Sequence, residues 1–109
     1  MLKQINDESF ESFVKESFYC AIGFYHPVAA KNKEMFEVME QFAKVYGNVA
    51  TATMDITGQE IPDEYGITED ECPIVVVFKQ GNPVKAVTLL TVENIASAIA
   101  PPGKNITLQ

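Results

Sequence analysis

Few side chains in this sequence can act as a nucleophile or a metal ligand. There are two cysteines, Cys20 and Cys72, and one histidine, His26. A thiol attacks or ligates as the thiolate, so a working cysteine needs a setting that stabilises the anion. Cys20 and Cys72 lack metal-type spacing, and His26 alone cannot complete a zinc site with them unless carboxylates or a second chain help. No cofactor and no metal centre are expected. Asn105-Ile106-Thr107 matches a glycosylation acceptor, but with no signal-peptide pattern at the start of the chain the match reads as chance.

The elements that must carry these residues are legible from periodicity. "MLKQI" reads as a short strand, and Asn6 or Asp7 can cap a helix through Ser17 with Phe10, Phe13 and Val14 on one face. "SFYCAIGFY" is too apolar to alternate and reads as a central strand buried on both faces. From about Val28 to Tyr46, Met35, Val38, Met39, Phe42, Val45 and Tyr46 recur at helical spacing, and Gly47 ends the helix. Phe36 falls off that stripe and is expected to be exposed. "NVATATMDI" reads as a strand, "QEIPDEYG" as a short helix, and "PIVVVFK" and "VKAVTLL" as a hairpin joined by the turn "QGNP". Thr91 can cap a last helix from Val92 to about Ala100 with Ile95, Ala96 and Ile99 on one face. The order β-α-β-α-β-α-β-β-α implies an α/β fold: a central mixed sheet of about five strands flanked by about four helices. Residues 1–100 are expected to form one domain and residues 101–109 a flexible tail.

With 109 residues, 47% of them hydrophobic and 21% charged, the chain suits one globular core. A net charge of −7 argues against nucleic acid and against anionic lipid as partners. No apolar run approaches the roughly 20 residues of a membrane span. A cytoplasmic location is expected.

The element order and several local strings resemble thioredoxin. "NDESFESFV" resembles the family's first-helix entry, "AIGFY" its central strand, "TMDI" and "DEYGI" its third strand and the short helix beyond. "CPIVVVFKQGNPV" resembles its proline-led hairpin, with Pro73 at the position that is cis in the family. The resemblance spans roughly residues 1–100 and implies the thioredoxin fold. It also implies a redox site of two cysteines at the junction "FYHPVAAKNKEMF", where Ala29-Ala30-Lys31-Asn32 stand in place of Cys-Gly-Pro-Cys. A methyl group at Ala29 cannot form a mixed disulfide. The family's buried aspartate aligns with Gly23 and its lysine partner with Thr53, so the proton-handling pair is also replaced.

The resemblance therefore implies a protein without dithiol–disulfide exchange. The leading expectation is a binding or adaptor module for an unknown protein or peptide. Its binding face would be Tyr25, His26, Pro27, Val28, Ala29, Ala30, Lys31, Cys72, Pro73 and Leu89, with a homodimer through that face as another use. The alternative is an enzyme-like or sensing role for Cys72. By the resemblance Cys72 lies beside the vacated motif, where helix amides and Lys31 or Lys33 could lower its pKa and His26 could serve as base. The bland alternative is a space-filling Cys72 and a surface His26. Three further expectations follow from the resemblance. Cys20 and Cys72 lie too far apart for a disulfide. The acidic insert Glu69-Asp70-Glu71 either pairs with Lys31 and Lys33 to close the groove or stays solvated. Leu89 stands where the family has a glycine, narrowing the groove or adding an apolar anchor, while the backbone ahead of Pro73 remains free for a peptide.

Overall fold

The computed structural model describes residues 2–99. The elements are β1 (Lys3–Gln4), α1 (Asp7–Glu16), β2 (Tyr19–Tyr25), α2 (Asn32–Val45), β3 (Ala50–Asp55), α3 (Ile61–Glu64), a 3₁₀ turn (Glu69–Glu71), β4 (Ile74–Lys79), β5 (Asn82–Val87) and α4 (Val92–Ile99). They form one five-stranded sheet in the order β1-β3-β2-β4-β5. β1, β3 and β2 run parallel, and β4 and β5 are antiparallel to their neighbours. The expected tail, residues 101–109, and the last expected helical residue, Ala100, lie outside the described residues. Among the described residues no helix is long and apolar enough to cross a membrane.

β2 is central because both of its faces are apolar. Cys20, Ile22 and Phe24 pack with Phe10, Phe13 and Val14 of α1, while Ala21 packs with Met35, Met39 and Phe42 of α2. Each large side chain so buried contributes roughly 1.5–3 kcal/mol through removal of apolar surface from water. Asn6 caps α1 as its residue type predicts: its side-chain oxygen accepts the Ser9 N–H at 3.1 Å. Thr91 caps α4 by accepting the Asn94 N–H on its hydroxyl at 3.0 Å. Asp7 does more than start α1. Its carboxylate accepts the Glu60 N–H at 2.6 Å and the Ile61 N–H at 3.0 Å, mooring the first turn of α3.

Several expected boundaries shift. α2 starts at Asn32 rather than Val28, because residues 27–31 close turns, with the Ala29 N–H donating to the His26 carbonyl at 2.9 Å. Val45 is 67% exposed: at 100° per residue it sits on the edge of the Met35–Met39–Phe42 stripe, whereas Tyr46 continues that stripe and stacks on Phe42 at 4.8 Å. Phe36 is not exposed but half-buried, since Tyr25 at the end of β2 reaches across to meet its ring edge-on at 5.1 Å. The hairpin turn is only Gln80-Gly81, both at positive φ (51° and 86°), with Asn82 and Pro83 already in β5. A proline is tolerated there because β5 is the edge strand. The strand ends at Val87, so Leu89 and Leu90 belong to the loop into α4. On α4, Ile95 and Ala98 are buried and Ala96 and Ile99 half-buried, a slight rotation of the expected face.

Candidate functional site

The site is built where β2 ends and β4 begins. Their antiparallel register sets Phe24 against Ile74, so the loop of residues 26–31 leaves the sheet beside Cys72 and Pro73. The Cys72–Pro73 peptide bond is cis. A cleft of about 210 Å³ brings together Lys31, Glu34, Cys72, Pro73, Leu89 and Thr91. Four members of the expected face therefore line one cleft. Leu89, on the cleft wall, is 72% exposed; Val28, in the loop of residues 26–31 and outside the lining, is 82% exposed, while Pro27 and Ala30 are exposed and Tyr25 and Ala29 half-buried. The Asn32 amide donates to the His26 carbonyl at 2.7 Å and ties the loop to the start of α2.

His26 goes elsewhere. It lines a second cleft, of about 440 Å³, with Ile56, Gln59, Asp63 and Glu69. Its Nε2 lies 3.5 Å from Glu69 Oε2. Among the described residues no hydrogen bond joins His26 to Cys72; the imidazole contact is with this carboxylate instead.

The Cys72 thiol is pushed up to about 11, first by burial and then by the Glu71 and Glu69 carboxylates. The expected lowering by helix amides and lysines is overturned: the inserted turn brings negative charge to the thiol, and burial disfavours the anion. Cys20 is buried in the sheet and burial alone pushes it up to about 12. Cys20 faces Phe78, whereas Cys72 lies beyond Ile74, which faces Phe24. Four residues of strand, roughly 13 Å, thus separate the two ends. Both thiols are free.

The acidic insert folds instead of dangling. Thr68 and Glu71 make a reciprocal capping box, with the Thr68 N–H donating to Glu71 Oε1 at 3.1 Å. The signal is visible in the sequence as Thr68-x-x-Glu71, a pattern that charge counting alone passes over. The insert does reach the opposite loop, through Glu69 and His26, but among the described residues no ion pair joins it to Lys31 or Lys33. The backbone ahead of Pro73 is engaged on its donor side: the Cys72 N–H donates to the Glu69 carbonyl at 3.2 Å.

Behind the cleft, Gly23 and Thr53 are register partners on β2 and β3. A Cβ at Gly23 would lie 2.5 Å from Met35 Sδ and 3.2 Å from its Cε. A methionine thioether thus fills the space ahead of Gly23. Thr53 is 2% exposed and donates its hydroxyl to Gln4 Oε1 at 3.0 Å, while Gln4 Nε2 donates to the Tyr25 hydroxyl at 2.6 Å. This chain of neutral groups was unmarked by any motif; only the pairing of β1 with β3 brings Gln4 to Thr53. Among the described residues no group of three or more His, Cys, Asp or Glu side chains converges as a metal site would.

No family model and no curated protein matches the sequence. Solved structures do match. The oxidised thioredoxin of Plasmodium falciparum superimposes with a TM-score of 0.78 at 18% identity, covering 92% of this chain and 96% of that one. Mitochondrial thioredoxin 3 of Saccharomyces cerevisiae gives 0.79 at 19% identity, over 91% and 93% of the two chains. Thioredoxin f2 of Chlamydomonas reinhardtii gives 0.79 at 13% identity, over 91% and 94%. The chain has the thioredoxin fold.

Proposed function

We propose that this thioredoxin-fold protein carries out no dithiol–disulfide exchange and serves as a binding or adaptor module, with the cleft around Leu89, Val28, Lys31, Cys72 and Pro73 as its contact face. The observation that carries the reading is the filling of the Gly23 space by Met35. Losing two thiols removes a reaction; packing a neutral thioether where the family's buried carboxylate would stand makes a neutral core behind the face. Ala29 and Asn32 at the thiol positions agree with it. The raised Cys72 thiol and the diversion of His26 to Glu69 work against the single-cysteine alternative. The exposed apolar side chains of Val28 and Leu89 support contact with a protein or peptide, and the same reading takes the protein as cytoplasmic. The test is reduction of insulin disulfides with dithiothreitol as electron donor. No acceleration over the uncatalysed rate is expected, and measurable turnover by the purified protein overturns the reading.

A further inference from the structure

Cys72 has extended backbone (φ −79°, ψ 146°) immediately ahead of β4. β2 accompanies β4 only as far as Phe24 opposite Ile74 and then turns away. The backbone leading into β4 is thus strand-like and has lost its β2 neighbour, the kind of edge that accepts an extended segment through main-chain hydrogen bonds. Pro73 has no N–H, so Cys72 supplies the donor at this edge. That donor is engaged within the chain, by the Glu69 carbonyl at 3.2 Å.

We propose that residues 68–72 form a latch that takes the main-chain donor of the β4 edge from within the chain and must open before an extended peptide can dock beside Pro73. The inference rests on the binding role proposed above. Three sets of contacts hold the latch shut. Thr68 and Glu71 cap one another. The Glu71 N–H donates to the Thr68 carbonyl at 3.1 Å, beside the Cys72–Glu69 bond. Glu69 reaches the imidazole of His26, whose own carbonyl is gripped by Asn32. The last contact lies in the second cleft and fastens the latch to the loop of residues 26–31. Thr68, Glu69 and Glu71 are exposed and only Cys72 is half-buried, and segments held by a few exposed hydrogen bonds open far more readily than the core.

The test compares wild type, Thr68→Ala/Glu71→Ala and His26→Gln by residue-resolved amide hydrogen exchange. The same proteins are titrated with heptapeptides selected from a random displayed library on the Thr68→Ala/Glu71→Ala protein. Loss of the mutual cap should speed exchange of the Cys72 amide about tenfold, leaving the Val75 and Val77 amides unchanged. The selected peptides should bind the double variant about fivefold or more tighter than wild type, shift the Cys72 amide resonance, and lose binding on Leu89→Asp. His26→Gln should give a smaller change in the same direction. Peptides that bind wild type and the double variant equally at this face overturn the latch and leave the binding role standing. An unchanged Cys72 exchange rate also overturns the latch. Failure to select any peptide sensitive to Leu89→Asp overturns both.

Discussion

Gly23→Ala puts one methyl group on the central strand at the point where the cleft meets the core. The new Cβ would sit 2.5 Å from Met35 Sδ, 3.2 Å from Met35 Cε and 3.7 Å from Met39 Cε. Ordinary carbon contacts lie near 3.5–4.0 Å, so the thioether must retreat by about 1 Å. Overpacking of this kind costs about 1–3 kcal/mol, and the flexibility of methionine holds the figure to the lower half of that range. The reduced freedom of the unfolded chain returns about 0.4–1 kcal/mol, leaving a net loss of about 1 kcal/mol. Met35→Ala alone should cost about 2–5 kcal/mol, since Met35 is fully buried and leaves a cavity. In the double variant the methyl group added at Gly23 enters that cavity. The penalty for Gly23→Ala should then vanish or reverse, a coupling of about 1–2 kcal/mol in urea denaturation of the four proteins. An equal penalty in both backgrounds refutes the filling of the Gly23 space by Met35. Gly23→Asp should be worse than Gly23→Ala in either background, because its carboxylate would be buried without a cation.

Cys72 and the mooring of α3 supply two further tests. With the Cys72 thiol near 11 against an ordinary 9.0, about one thiol in a thousand is ionised at pH 8 instead of about one in ten. Iodoacetamide should therefore modify Cys72 more slowly than a free thiol by about tenfold or more, the smaller thiolate fraction being partly offset by a more nucleophilic thiolate, with the rate rising about tenfold per pH unit up to about pH 10. Glu69→Gln/Glu71→Gln should lower the midpoint while burial keeps it above 9.0; a wild-type midpoint at or below 9.0 refutes the assignment. Asp7→Ala should cost about 1–2 kcal/mol in chemical denaturation, because the Glu60 and Ile61 N–H groups lose their shared acceptor. Asp7→Asn, retaining one carbonyl oxygen, should cost less, and unchanged stability of Asp7→Ala would show that α3 is not held by this carboxylate.

The features legible along the chain are those that short range decides. The caps at Asn6 and Thr91 reach only three residues along the chain, and the buried run of β2 needs no partner to be recognised. The alternation of elements and the strings around Pro73 were enough to imply the thioredoxin fold, and the absence of thiols at Ala29 and Asn32 is read directly. The turn at Thr68-x-x-Glu71 was also legible, since its capping box is local. The chemistry of the face, by contrast, is set by folding in three dimensions. Asp7 moors a helix more than fifty residues away, Gln4 meets Thr53 through the β1–β3 register, and His26 finds Glu69 rather than Cys72. The same holds for the Cys72 thiol, whose type permits a shift in either direction. Its direction follows from which groups folding sets beside it, and here those are apolar neighbours and two carboxylates. Electrostatic work depends on distance through space and on loss of water, and neither quantity is carried by position along the chain.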